Sequence, residues 1–440
     1  MTGPETDRLV IVALGLVVGI AGYVVLRRSA KLAVGTAVVA LCFVPVWIGV
    51  GLGFNGNIYV PLSAVLVGAA ALALLPIADY RLSGVDLVVA FLGALVVFSL
   101  FAGNLAVALA FVITSLTYFV SGFVLGRFAP SRVGMDWVYR LVAVVFTVVA
   151  AFAIVEFVTG WNPFVALGTD NPLFAQWGQL QERGGIVRAE GAFGHSIALG
   201  SSLAMAIPLT IASTFPALGR FAMVATMVAA TVLTFSRTAI IGAGIGLLLC
   251  VLFLPGLARV RTRVVLTAAA AVTTVALLPL VFAVFDDAGT EASGSAAYRL
   301  DIIALVAHMN AVGLSDVVRR SPTGELYFQN FQSIDSQLIL TGITSGFLAV
   351  GVVILALAYA VFLVVTGRAR ATTIAVVAQI PALATVALIT QYATVLWFVV
   401  GLTAADFAAR GSAAAVRDRS SALVAPHRRL TPITERGASR

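Results

Sequence analysis

The sequence predicts an all-α polytopic membrane protein of about 12–13 transmembrane helices, and three observations carry that reading. Of 440 residues, 61% are hydrophobic and only 10% are charged, more apolar surface than a water-soluble core can enclose. Apolar runs near the ~20 residues that cross a bilayer recur along nearly the whole chain. Basic residues collect in alternate inter-span turns, as the positive-inside bias requires of a multi-pass chain. The short alternating segments of a transmembrane β-barrel are missing from the sequence.

The spans fall at 9–26, 31–53, 58–78, 85–102, 105–126, 137–158, 194–215, 219–235, 238–256, 263–285, 337–366, 371–388 and 391–408. One long kinked helix is the alternative for the last two. The first run, Leu9 to Leu26, is followed rather than preceded by its main positive cluster of Arg27, Arg28 and Lys31. It therefore reads as a retained helix and not as a cleaved signal. Pro208 and Pro381 fall inside spans, where neighbouring helices satisfy the freed backbone groups. Cys42 and Cys250 both lie in apolar runs, which argues against a disulfide or a metal site.

With the N-terminus outside and the C-terminus in the cytoplasm of a plasma-membrane protein, 20 of the 27 basic residues lie inside. The net charge of +8 then reflects topology and contact with anionic lipid, not nucleic acid. Apart from Arg8, the outer basic residues are Arg183, Arg188, Arg237, Arg299, Arg319 and Arg320. The chain divides into N-terminal helices over 1–158, a core over 159–408 and a basic tail over 409–440 that reads as disordered. The core carries two long outer loops, 159–193 and 286–334, and loops of such length are functional or disordered. Within the second loop, Tyr298 to Asn310 reads as a short amphipathic helix. Leu300, Ile303, Val306 and Ala307 share one face, with Ile302, Leu305 and Met309 alongside.

Four outer clusters carry candidate chemistry. Arg188 to His195 enters the seventh span with a cation, the Glu190 carboxylate, three glycines when Gly200 is included, and an imidazole. Thr234 to Thr238 places Arg237 at a hairpin tip, at the membrane boundary. Tyr298 and Arg299 open the loop helix, and Asp335 stands where the second loop re-enters the bilayer. Glu156, near the outer end of the sixth span, is placed to line the same cavity. Arg188, Arg237 and Arg299 either grip an anion or form structural ion pairs, for example with Glu190 or Asp335. Guanidinium forks match phosphate oxygens in paired geometry and stay charged at physiological pH. A carboxylate nearby can take the proton of an attacking hydroxyl, with Asp335, Glu190 and His195 as the candidate bases. A transporter or lipid flippase is the competing class. It calls for ionisable groups near the midplane and for an internal repeat, and neither is read here.

Arg-x-x-Gly-x-Phe-x-His at 188–195, Ser-Arg at 236–237, Tyr-Arg at 298–299 and the Asp-Ser-x-x-x-Leu run from 335 resemble the O-antigen ligase and O-antigen polymerase superfamily over roughly 157–408. The resemblance implies a GT-C-like helical bundle and a metal- and cofactor-independent inverting glycosyltransferase. Such an enzyme moves a glycan from a polyprenyl diphosphate donor to a glycan or lipid acceptor on the outer side of the plasma membrane. By the same resemblance Arg188, Arg237 and Arg299 match diphosphate-binding arginines. Lipid A-core ligases carry a His where Asp335 stands, 11 residues before Gly346, and polymerase-type relatives often carry an Asp. The expectation is therefore a polysaccharide polymerase with Asp335 as base, and an O-antigen-type ligase is the alternative.

Overall fold

Burial on every side of a helix requires side chains that are small or aliphatic at every position, and one segment of this chain has them. Ser196–Ala212, with the sequence SIALGSSLAMAIPLTIA, is buried at all but Ile197 and Ala212 and forms the centre of a helical bundle. The computed structural model describes residues 19–52, 58–75, 80–101, 105–183, 185–254, 298, 301–320 and 326–424. The predicted span 263–285, residues 9–18 of the first span, and Arg299 lie outside the described residues.

In chain order the helices are α1 over 19–28, α2 Ala30–Phe43, α3 Leu62–Ala73, α4 Gly84–Phe98, α5 Leu105–Thr114, α6 Ser121–Val133 and α7 Met135–Thr159. A π-helical segment, Ser115–Val120, joins α5 to α6. They are followed by α8 Pro172–Trp177, α9 Ser196–Ala212, α10 Ala217–Leu233 and α11 Arg237–Phe253. The last group is α12 Gln337–Ser345, α13 Phe347–Val365, α14 Ala371–Val377, α15 Ile380–Thr385 and α16 Thr390–Val424. Around α9 pack α7, α10, α11, α14 and α16. Among the described residues, five helical stretches are long and apolar enough to cross a membrane, including 105–133 and 135–159, and six more apolar stretches are shorter. This is a mostly helical membrane protein.

The tightest pairing in the bundle joins α6 to α16. A Cβ added at Gly126 or Gly401 would collide with the backbone of the partner helix, and one at Gly122 would lie 2.6 Å from the Thr394 carbonyl oxygen. Gly122 and Gly126 form a small-xxx-small stripe that lets two backbones touch where no hydrophobic effect holds helices together in lipid.

The predicted elements shift at several places. The span 31–53 ends as a helix at Phe43, because the chain turns at Pro45 into the strand β1 Gly49–Leu52, paired antiparallel with β2 Ile58–Pro61. Two further ribbons, β3 Glu182–Arg183 with β4 Ile186–Val187 and β5 Val318–Arg320 with β6 Leu326–Phe328, add strand to an expected all-α chain. The span 337–366 is two helices, broken at Gly346, whose φ of +91° ends α12. The region 371–408 is not one kinked helix: Ala371–Thr385 is an apolar stretch shorter than a span, and the helix from Thr390 is long enough to cross a membrane. A connector over 386–389 separates α15 from α16. The tail expected to be disordered over 409–440 is helical as far as Val424, and 425–440 lie outside the described residues. In the second loop the buried face of the helix is Ile302 and Leu305, while Ile303 and Val306 are exposed. The second loop packs its own small core, with Leu314, Val318, Phe328 and Ile334, against Val107 and Ala108 of α5.

At the bundle end away from the long loops, arginines satisfy carbonyls. Arg132 Nε donates to Leu74 O at the end of α3 (3.0 Å), and Arg220 Nη1 to Ile211 O in the last turn of α9 (2.8 Å). Arg127 is buried and meets Asp86 at 2.8 Å, while Asp86 also closes the capping box of α4 with Ser83. Replacing only Arg127 by Met strands that carboxylate and is expected to destabilise the fold by about 3–5 kcal/mol, whereas Asp86→Leu with Arg127→Met recovers most of the loss. Unfolding of the detergent-solubilised chain measures both.

Candidate functional site

The first long loop is fastened to the bundle by one carboxylate. Glu156, buried in the last turn of α7, accepts from Asn162 Nδ2 (2.8 Å) and Glu190 N (3.1 Å) through Oε1, and from Gly191 N (2.8 Å) through Oε2. Asn162 Nδ2 also donates to Gly191 O, and its Oδ1 accepts from the amides of Phe164 and Val165. Glu156 thus holds the loop at both of its ends, so a role lining a substrate cavity is replaced by an anchoring role. The middle of the loop rests on Trp47, whose indole N–H donates to Leu167 O (3.2 Å) and whose ring packs edge-on against Phe174.

From that anchor the chain builds the cationic cluster. The ribbon of β3 and β4 returns Arg188 to Gln181, where Arg188 N donates to Gln181 O (2.9 Å). The Arg188 side chain is buried, with Nε donating to Thr234 O (2.8 Å) and Nη1 to Gln181 Oε1 (3.4 Å). Both partners are uncharged oxygens, so the structural ion pair with Glu190 or Asp335 does not form. Arg183 Nη1 donates to Phe235 O (3.2 Å), the next carbonyl of the same turn. Arg237 is exposed on the first turn of α11, whose N-cap Ser236 accepts from Ala239 N. Arg183 and Arg188 are therefore both bonded to carbonyls of the turn between α10 and α11, and Arg237 opens the helix that follows it. Burial, and secondly the charge of Arg183, push the Arg188 pKa down to about 10, and Glu190 opposes the shift.

That turn is itself strained. Phe235 has a φ of +46°, a conformation that stores about 1–3 kcal/mol in a bulky residue. Its fully buried ring against Phe157 (centroids 5.8 Å apart) holds the turn in place. The N-terminus of α11, with no acidic residue in its first turn, adds its dipole to the same positive region.

Glu190 is buried, and its Oε1 accepts from Gln181 N (3.1 Å). Burial first and the neighbouring Glu156 charge second raise its pKa to about 8, while the Gln181 amide and Arg188 pull the other way. His195 caps α9, with Nδ1 accepting from Ile197 N (3.1 Å) and the ring meeting Trp177 edge-on at 5.7 Å. Burial and Arg188 push its pKa down to about 3. An imidazole whose Nδ1 lone pair is engaged as a helix cap is a structural group, which corrects its candidacy as a base.

Asp335 is exposed and stands two residues before α12. Gln337 ties this region to the connector after α15, since Gln337 N donates to Val386 O (3.0 Å) and Leu388 N to Gln337 Oε1 (2.9 Å). On the other flank the Thr238 and Thr385 hydroxyls are 3.4 Å apart. Arg237 and Asp335 therefore flank the same short connector. Tyr298 donates to Ser333 O (2.7 Å) and packs on Phe331, so it shapes the approach to Asp335.

Arg188, Glu190, Glu156 and His195 thus lie together, and Asp335 and Arg237 lie at the same end of the bundle. Arg183 was not singled out in the sequence, where it is one of several outer arginines. Its place three residues before the return strand, across the Gly184-Gly185 pair, was the available signal. Among the described residues, no three His, Cys, Asp or Glu side chains are grouped to hold a metal ion. Comparison with known proteins gives no relative: no family model, no curated protein and no solved structure matches this chain.

Glu190 and His195 set opposite pH dependences. A raised carboxyl pKa contributes stability that is present below the unfolded value near 4.5 and is lost as pH rises through about 8. A depressed imidazole pKa contributes stability present above 6.5 and lost as pH falls toward about 3. Between pH 6.5 and 8 only the Glu190 dependence operates, so Glu190→Gln is expected to flatten the fall in Tm there. His195→Asn keeps a capping side chain and is expected to reduce the loss of Tm below pH 6.5. Melting curves across pH check both.

Proposed function

We propose that this chain is a glycosyltransferase that moves a glycan from a polyprenyl diphosphate to a sugar hydroxyl at the outer face of the plasma membrane, acting as a polysaccharide polymerase. The observation that carries the reading is the bonding of the Arg183 and Arg188 side chains to one turn, with Arg237 on the helix that follows it, at the long-loop end of a membrane bundle. Like charges held together are relieved by a polyanion, and a lipid-linked diphosphate brings its anion to the membrane boundary with its tail in the bilayer. Basic residues concentrated in the opposite turns support an outer placement of that end. The motif resemblance to O-antigen polymerases and ligases supports the same chemistry, and an Asp at 335 favours polymerase over ligase.

In the reaction, the acceptor oxygen attacks the anomeric carbon opposite the diphosphate and forms the new carbon–oxygen bond. The bond from that carbon to the diphosphate oxygen breaks, and its electron pair leaves with the diphosphate. Asp335 takes the hydroxyl proton. The arginines stabilise the charge that grows on the leaving group, fixed before the reaction begins. Glu190, held largely protonated at neutral pH by burial, leaves the cluster positive.

Arg237 is exposed, so its substitution disturbs less buried structure than that of the buried Arg188. Arg237→Ala is expected to lower glycan transfer by about 10²–10³-fold with Tm and insertion unchanged. Transfer from cell-derived polyprenyl diphosphate glycan in nanodiscs is the assay, and full activity in both Arg237→Ala and Arg183→Ala would remove the diphosphate site. Asp335→Asn is expected to lower turnover at saturating donor while donor affinity stays the same, which donor titration reads directly.

A further inference from the structure

The second loop leaves one apolar face uncovered at the level where membrane spans begin. Its residues 301–308 are helical, α-helical over 301–304 and 3-10 over Leu305–His308. Ile302 and Leu305 turn into the loop's own core, and Met309 packs beside them. Ile303 and Val306, one turn apart on the adjoining face, stay 56% and 50% exposed. Ala307 extends that face and is exposed as well. Asp301 and His308 share the remaining side, ~200° around the helix from Ile303, and both are exposed. One side of the helix is thus packed, one is apolar and open, and one is polar.

Backbone hydrogen bonds fix the depth of this helix. The segment that follows it runs along the junction of α12 and α13. Phe347 N donates to Asn310 O (2.9 Å) and Leu348 N to Ala311 O (3.2 Å). Gly313 N donates to Ser345 O (3.1 Å) and Ser315 N to Ile343 O (2.8 Å). Gly346 lets these backbones meet, since a Cβ there would lie 2.6 Å from Ala311 O. Phe347 and Leu348 open α13, which is long and apolar enough to cross a membrane and turns most of its surface away from the chain. They are themselves 58% and 42% exposed. The loop core also rests on Val107 and Ala108 near the start of α5, whose Leu105 and Leu109 are exposed. The loop helix is therefore tied to the end of one apolar span and packed on the end of another.

We infer that 301–308 is an interfacial helix, with Ile303 and Val306 seated in the lipid leaflet at the long-loop end of the bundle. Single exposed apolar side chains are ordinary on a protein surface. These two continue the exposed apolar surface of α13 and stand at its end, where acyl chains give way to headgroups. A protein partner is a poorer match. Two large side chains on a helix of eight residues fall far short of the roughly 800 Å² per side that a stable interface buries. Lipid needs no such area, because the spans already hold the chain in the bilayer. Asp301 and His308 then point to the headgroup water, the arrangement of a helix lying in the interface plane. The seat also bears on the site. Tyr298, three residues before the helix, donates to Ser333 O (2.7 Å), two residues before Asp335, so the lipid boundary sets the depth of that flank. The inference stands independently of the transferase reading.

Cys42 and Cys250 are both buried, so a cysteine introduced at the surface is the one a thiol reagent labels. The full chain carrying Ile303→Cys, Val306→Cys, Asp301→Cys or His308→Cys, one at a time, is labelled with a polarity-sensitive fluorophore in nanodiscs of phosphatidylcholine and phosphatidylglycerol. All four side chains are exposed, so each substitution spares the packed core. Labels in Ile303→Cys and Val306→Cys are expected to emit blue-shifted light. They are also expected to lose more fluorescence to a lipid with a nitroxide near its headgroup than to one with a nitroxide at the tail end, because an interfacial helix sits about 5–10 Å into the boundary. Labels in Asp301→Cys and His308→Cys are expected to lose fluorescence to iodide in the water instead. Equal iodide quenching at all four positions overturns the proposal, since it places the open face in water. A blue shift in Ile303→Cys and Val306→Cys that neither nitroxide lipid quenches overturns it too, and identifies a second copy of the chain as the cover.

Discussion

The buried Glu156 carboxylate is the constraint on which the rest of the outer architecture depends. A 35-residue stretch, 159–193, carries little regular structure among its described residues (α8, a ribbon of two-residue strands and a 3-10 turn over Gly191–Phe193), so its order comes from fixed points. Glu156 supplies the main one by accepting from Asn162 near the loop's start and from the Glu190 and Gly191 amides near its end. Once Glu190 and Gly191 are placed, Arg188 two residues earlier and His195 four residues later have little freedom. Gln391 adds a second tie, its Nε2 donating to Ala192 O (2.9 Å) and to Val44 O (3.0 Å), which joins the loop to the start of α16 and the end of α2.

Electrostatics at this end of the bundle follow from burial more than from charge pairing. Glu190 stands next to Arg188 in sequence and in the Coulomb field, yet desolvation lifts its pKa to about 8. A neutral carboxyl near pH 7 does not cancel a guanidinium. His195 is also held neutral, in its case by burial and by its engagement as a helix cap. The positive field of the arginines is therefore preserved where two other ionisable groups would blunt or complicate it. An incoming anion meets that field in a partly desolvated setting, where each interaction is stronger than in water.

Rigidity is provided on the other side of the site by backbone contact. The glycine stripe of α6 seats α16 closely, and α16 carries Thr390 and Ala393 on its first turn. The break between α15 and α16 leaves a four-residue connector whose amides and carbonyls are taken up by Gln337. That arrangement brings the ends of α11, α12 and α16 together without long side-chain bridges. It also gives the left-handed Phe235 and Thr390 rigid neighbours, which can hold a strained position.

Much of the fold was legible in composition and period. The apolar runs at 137–158 and 219–235 lie within two residues of the helices that form, because lipid and core burial both demand an unbroken apolar stretch. The clusters at 188–195, 234–238 and 335 were legible too, because charges that survive at a membrane boundary are few. Tertiary structure alone decided how those charges are used. Nothing local distinguishes Glu156 as an anchor, His195 as a cap or Arg183 as a member of the cluster, since each role is set by a partner 2 to 52 residues away. The loop-helix face showed the same limit: Ile302 and Leu305 turn inward because α5 and the β5–β6 ribbon lie beneath them. Hydrophobic period is a property of a segment and can be read from it, whereas hydrogen-bond pairing across a long loop is a property of the folded chain.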